Sequence, residues 1–175
     1  MSRDDFSYGG KTYSLGHLAP FTMQVTGKAP GARTFNVLVT FGCHTFTEKF
    51  EPNHSHELRY VEDNEERCFC EVRHGYSLHL PRIVRYAAGG RVFFSEGRNL
   101  LCIDWLPGVA APYAVFFNMT KWRGKGLDAV MNVVSAYDKE ALPEQLPAIT
   151  FAALVGTVCS GQKVIIPNDK RSIKK

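Results

Sequence analysis

Between residues 91 and 138 four strand-like runs follow one another: "RVFFSE", "NLLCIDWL", "PYAVFFNMTKW" and "LDAVMNVVSAY". Only "GR", "PGVAA" and "RGKG" separate them. A parallel crossover needs about a dozen or more residues, usually a helix, so links this short demand antiparallel neighbours. A meander of about four strands is therefore expected. Such a sheet buries one apolar face, and helices have to cover it.

The remaining segments fit around that sheet. "RTFNVLVT" runs on into "FGCHTFTEKF" with apolar and β-branched residues and no helical spacing, which predicts a long strand after the Gly/Pro loop "TGKAPGART". "RCFCEV" predicts a short strand with Cys68 and Cys70 on one face and Phe69 on the other. The polar "EPNHSHELRYVEDNEER" between them reads as a surface connection with a helical turn. Leu80, Ile83, Val84 and Ala87 then recur at helical spacing, Pro81 suits a first turn and Gly89-Gly90 supplies the stop. A helix from Pro81 to Ala88 is predicted. In "LPAITFAALVGTVCSG", Ile149, Phe151, Ala152, Val155 and Cys159 line one side of a second helix closed by Gly161, and "KVIIP" follows as an edge strand. The expected fold class is α+β: an antiparallel sheet made of the meander and one or two N-terminal strands, with helices packed on it.

With 175 residues, 45% hydrophobic and 22% charged, the chain suits a single globular domain spanning residues 1–175. The basic tail "NDKRSIKK" at 168–175 is expected to be solvated and disordered. No apolar run reaches the roughly 20 residues that cross a bilayer, and the polar N-terminus lacks an apolar signal region. The five cysteines are odd in number and sit among apolar neighbours, which favours reduced thiols. A cytoplasmic chain with no membrane partner is the expectation. A net charge of +4 permits a phosphate-rich partner without demanding one.

Several chemistries start without their motifs. There is no Gly-rich phosphate loop, no G-x-S-x-G elbow, no H-E-x-x-H and no dinucleotide-binding glycine pattern, and no cofactor is expected. Zinc has candidate ligands in Cys43, His44, His54, His56, Cys68 and Cys70, which fall within 28 residues. Their spacing matches no finger or ribbon, so no metal is assigned. A zinc-stapled domain stays as an alternative. Cys43 as a nucleophile would need a base from elsewhere, such as His74, because adjacent strand residues such as His44 face the opposite side. A buried thiol is the better account.

A third constellation joins distant segments. "EVRHGYSLHLP" places Arg73, His74, Tyr76 and Ser77 before the predicted helix, and "VVSAY" sets Ser135 and Tyr137 on one face of the last meander strand. Lys121, Arg123 and Lys125 sit at the hairpin ahead of it, as candidate nucleic-acid contacts. Metal-independent RNA cleavage needs a group to take the ribose 2′-OH proton, a group to protonate the leaving oxygen, and cations for the charged phosphorane. These residue types supply all three, and aromatic rings can stack a splayed base. Each also has a structural alternative: Arg73 as an ion-pair partner, Ser77 as a helix cap, Tyr137 as a sheet aromatic.

From "RHGYSLHLPRIV" through "NVVSAYDK", residues 73–139, a helix, a four-stranded meander and a Ser-x-Tyr ending follow in order. This arrangement resembles the barnase–EndoU–colicin–RelE superfamily of small ribonuclease toxins. The resemblance implies catalytic roles for Arg73, His74 and Ser77 at the helix entrance and for Ser135 and Tyr137 on the last strand. It also implies RNA as substrate and a neutralising protein partner. Two features depart from it: the mild charge, and the extra "FGCHTFT" strand. If that strand joins the sheet, His44 emerges near its end, where His44, Thr45 and Thr47 can line the same cleft. A non-catalytic module binding protein or nucleic acid through its aromatics and basic hairpin is the alternative from a different class.

Overall fold

The four-strand meander is present in the computed structural model, which describes residues 3–27, 29–95, 100–140 and 146–167. In chain order the elements are β1 (Phe6–Tyr8), β2 (Lys11–Tyr13), β3 (Phe21–Thr26), β4 (Thr34–His44), β5 (Thr47–Lys49), β6 (Arg59–Glu62) and β7 (Glu65–Phe69). Then come α1 (Glu71–Ser77), α2 (Leu80–Ala87), β8 (Arg91–Phe94), β9 (Leu100–Asp104), β10 (Tyr113–Lys121), β11 (Ala129–Asp138), β12 (Ala148–Thr150) and α3 (Phe151–Cys159). The basic tail at 168–175 lies outside the described residues.

The main sheet has seven strands in the order β12-β8-β9-β10-β11-β4-β3. The fold class is α+β, and β8 to β11 pair antiparallel as their short links require. The expectation of a wholly antiparallel sheet is corrected at one seam, where β4 runs parallel to β11 with Val37 opposite Ala129. β4 is joined to β11 through the whole intervening chain, so no short link dictates its direction. β3 then pairs antiparallel with β4. At the other edge β12 occupies β8, and the expected edge strand "KVIIP" stays unpaired.

Two further corrections lie in the middle of the chain. The polar connection forms a hairpin, β6–β7, whose turn residues Asp63 and Asn64 have φ of 50° and 65°. Two consecutive positive φ values define the tight turn that suits the twist of paired strands, and Asp and Asn tolerate it. With β5 this hairpin makes a separate three-stranded sheet, which holds "RCF" apart from the main one. "EVRHGYS", expected as an approach to a helix, is itself the helix α1.

The core lies on one face of the main sheet. Val37, Val39 and Phe41 from β4 meet Val115 and Phe117 from β10 and Met131 and Val133 from β11, all buried. Ile83 and Val84 of α2 and Leu154 and Val155 of α3 close over them. Burying such side chains is worth about 1.5–3 kcal/mol each, which holds both helices on the sheet. No helix among the described residues is long and apolar enough to cross a membrane.

Candidate functional site

Register decides which groups reach the surface where β4 and β11 end. β11 turns Ala129, Met131 and Val133 into the core. Unbroken alternation would send Ser135 and Tyr137 inward after them. Instead the pairing with β10 steps from Phe117↔Val133 to Phe116↔Ser135 and leaves Val134 as an extra residue. This bulge exchanges the faces: Ala136 is buried, while Ser135 and Tyr137 face outward and are half-buried. β4 brings His44 opposite Ser135. Phe116 stacks on Tyr137, with ring centroids 5.3 Å apart and planes 22° apart.

Glu65, just past the β6–β7 turn, faces His44. The imidazole Nε2–H donates to Oε2 at 2.8 Å and Oε1 at 2.9 Å. A carboxylate only accepts, so Nε2 carries a proton, and in the neutral ring Nδ1 keeps its lone pair. Glu65 titrates below the usual carboxylate range, chiefly through this hydrogen bond, with the Arg67 guanidinium adding to the effect. Arg67 Nη1 donates to Glu65 Oε1 at 3.2 Å.

Arg67 also links this pair to the next. Its Nε donates to Thr47 Oγ1 at 3.2 Å and its Nη2 to the Thr47 carbonyl at 3.5 Å. Arg73 Nη1, from α1, donates to the same carbonyl at 2.8 Å. The Arg73 guanidinium carbon lies 5.6 Å from the centroid of the Tyr137 ring. Two guanidinium groups thus converge on one backbone oxygen, flanked by the His44–Glu65 pair and by the Tyr137–Phe116 stack. Two like charges held together raise the local positive potential, offset on the Arg67 side by its contact with Glu65.

Not every expected group is here. His74 follows Arg73 on α1, and helical geometry turns it about 100° away. Its Nε2–H donates to the Ser14 carbonyl at 2.9 Å. Ser77 is fully buried at the end of α1; its hydroxyl donates to the His74 carbonyl and accepts from His17 Nε2–H, both at 2.7 Å. His74 and Ser77 therefore tie α1 to the N-terminal segment. Thr45 is buried too, its hydroxyl spent on the Gly42 carbonyl at 2.7 Å. Lys121, Arg123 and Lys125 are exposed at the β10–β11 hairpin. Tyr137 lies eight residues along β11 from Ala129, the partner of Lys121. At strand rise that separates hairpin and cluster by about 26 Å.

The six candidate zinc ligands do not share one site. Cys43 and His44 gather with Glu65, and His54 and Cys68 gather with Glu48, each trio having ligand atoms within 4.8 Å of one another. His56 packs on the Phe50 ring, with centroids 6.0 Å apart. Cys43 is 5% exposed, and burial, with the Glu62 carboxylate beside it, pushes its thiol up to about 11. A thiol so held is a poor nucleophile at neutral pH.

A model of the YjaZ family matches residues 5–159. The chain belongs to the YjaZ family. The match spans the seven-stranded and the three-stranded sheets, so the β6–β7 hairpin and the end of β4 are part of the YjaZ fold in this chain. No curated protein and no solved structure matches it.

Sequence reasoning missed three members of the cluster in this YjaZ chain: Glu65, Arg67 and Phe116. The first two were absorbed into a polar connection. The pair "DN" at 63–64, flanked by "LRYVE" and "EERCF", was the available signal for a tight hairpin. Phe116 was hidden among apolar neighbours, and only the bulge in the strand beside it brings the outward ring of Tyr137 against it.

Proposed function

We propose that this chain cleaves RNA without metal, by attack of a ribose 2′-OH on the adjacent phosphate. The observation that carries the reading is the convergence of Arg67 and Arg73 on the Thr47 carbonyl beside the His44–Glu65 pair. His44, oriented by Glu65, accepts the 2′-OH proton on Nδ1. The O2′–P bond forms, and the two guanidinium groups and the Ser135 hydroxyl hold the charged phosphorane oxygens. The P–O5′ bond then breaks, and the departing O5′ takes the proton of the Tyr137 phenol. The products are a 2′,3′-cyclic phosphate and a 5′-hydroxyl, with no electron transfer. Phe116 and the Tyr137 ring offer a face on which a splayed base stacks. A protein partner that neutralises the activity would cover this outer face.

Purified protein is incubated with bulk RNA in the presence of a chelator. Cleavage leaving cyclic phosphate ends is expected, and it should be lost in Arg73→Ala and His44→Ala proteins that keep their melting behaviour. Intact RNA with the native protein would remove the enzymatic reading.

One observation favours a second reading. The Lys121, Arg123 and Lys125 hairpin stands at the far end of β11 from the cluster and carries Trp122, 42% exposed. An exposed indole among three cations is a surface for single-stranded nucleic acid that needs no catalysis. Salt-dependent RNA binding with no cleavage, lost in Lys121→Ala/Arg123→Ala, would favour it.

A further inference from the structure

Cys43, His44 and Glu65 offer a thiol sulfur, an imidazole nitrogen and a carboxylate oxygen within 4.8 Å of one another. We propose that this trio binds a thiophilic divalent cation of the zinc type, and that the bound ion silences the site.

The donor set selects the metal. One sulfur, one nitrogen and one oxygen suit Zn²⁺, whereas Mg²⁺ and Ca²⁺ take oxygen donors. Three protein ligands leave a fourth tetrahedral position for water. Local backbone geometry brings the neighbours Cys43 and His44 together despite strand alternation. β4 stops at His44, and the chain turns at once, with Thr45 N–H bonded to the Gly42 carbonyl and Phe46 N–H to that of Cys43. The hydrogen-bonding state of the imidazole also fits. Both Glu65 oxygens lie 2.8–2.9 Å from Nε2, so an ion that replaces the Nε2 proton meets the nitrogen and the carboxylate together, and the ring proton moves to Nδ1, which no donor among the described residues holds as an acceptor. The Glu62 carboxylate stands beside the Cys43 thiol and adds negative potential. Arg67 opposes, because it holds Glu65 at 3.2 Å and has to be displaced if Glu65 itself becomes a ligand.

The second trio, Glu48, His54 and Cys68, makes the contrast. There the Glu51 N–H donates to His54 Nδ1 at 3.0 Å, so the proton sits on Nε2, the nitrogen that faces Glu48 at 3.8 Å. With Nδ1 held as an acceptor, the proton cannot move there to free Nε2 for an ion, and the trio is not a metal site in this arrangement.

The consequence rests on the proposed function, because an ion on Nε2 leaves the ring proton on Nδ1, the nitrogen that has to accept the 2′-OH proton. Binding itself does not rest on it. The test uses Co²⁺ as a spectroscopic probe on full-length protein stripped by chelator. Native protein and Cys68→Ser should give thiolate-to-cobalt charge-transfer absorption, and Cys43→Ser and Cys43→Ala should lack it. No absorption in the native protein, or loss on Cys68→Ser with retention on Cys43→Ser, overturns the site. In parallel, Zn²⁺ should suppress RNA cleavage reversibly by chelator, at concentrations at least about tenfold higher for Cys43→Ser than for native protein. Equal suppression of both proteins overturns the inhibitory role. If no sample cleaves RNA, the ribonuclease reading falls and so does the inhibitory role, while the cobalt spectra still decide the metal site.

Discussion

Gly42 in β4 lies so close to the bulged Val134 of β11 that a Cβ at Gly42 would stand 3.2 Å from the Val134 carbonyl oxygen and 3.4 Å from that of Val133. Both neighbours are backbone and cannot rotate away. The glycine is therefore part of the device that turns Ser135 and Tyr137 outward. Gly42→Ala should cost about 1–3 kcal/mol, the usual range for overpacking a fitted site. For a chain of this size that lowers the melting temperature by about 2–4 °C per kcal/mol. Cleavage should fall further than the lost stability explains, because the bulge also sets the phase of the strand. Unchanged melting and cleavage in this variant would show that the bulge does not depend on the close approach.

Arg73 touches the Thr47 carbonyl and the Tyr137 ring at once, so it ties α1 to both sheets. If it stabilises a phosphorane, Arg73→Ala should reduce cleavage by about 10²–10³, the loss seen when one oxyanion donor is removed. Arg73→Lys should recover little, because a compact ammonium lacks the guanidinium's spread donors and cannot hold the carbonyl while reaching towards the ring. The readout is the single-turnover rate at saturating RNA, beside circular dichroism to verify folding. Wild-type rates in both variants would take Arg73 out of the chemistry.

The order β8-β9-β10-β11 was legible because links of a few residues permit no other pairing, and α2 was legible because Ile83 and Val84 repeat with the helical period. β4 was legible as a strand but not in direction. Its partner β11 is some ninety residues away, and the match of Val37, Val39 and Phe41 to Ala129, Met131 and Val133 decides the register. α1 left little trace, since only Ser77 of its seven residues is buried and no apolar stripe forms. The grouping of Arg73 with Tyr137 was anticipated from residue type. Their separation from His74 and Ser77 was not, because it follows from the angle between neighbours on a helix that the sequence did not reveal. Ser135 and Tyr137 were placed correctly on one face, but which face was decided by an extra residue that alternation counts cannot see.

Glu65 carries a titration signature. The His44 hydrogen bond lowers its folded-state value below the unfolded one, about 4.3 for a free glutamate. Its stabilising contribution is then complete above the unfolded value and is lost as pH falls through the folded one. The carboxylate is largely exposed, so solvent screens the effect and keeps it small. Glu65→Gln should therefore flatten the stability profile below about pH 4.5 only slightly. Its larger effect belongs to cleavage. A neutral amide orients His44 but cannot stabilise the imidazolium that forms, so the alkaline plateau should drop while RNA binding holds. A cleavage profile identical to that of native protein would release Glu65 from the site.

His17 sits where the N-terminal segment meets α1, its ring centroid 5.5 Å from that of His74. Burial, and then the neighbouring His74, push its pKa below the ordinary histidine value. A lowered value means that the folded state binds the proton less well than the unfolded chain does. Stability from the neutral ring is thus complete above about pH 6.5 and is lost as pH falls through the folded value. His17→Gln keeps a donor for Ser77 and removes the titration. Between pH 8 and pH 5 native protein should lose more melting temperature than this variant, and hydrogen exchange should place the early opening in residues 6–18, β1 through the turn that ends at Leu18. Equal losses in the two proteins would mean that acid acts elsewhere, with Glu65 and Glu62, held low by the His44 and Arg3 hydrogen bonds respectively, next in line.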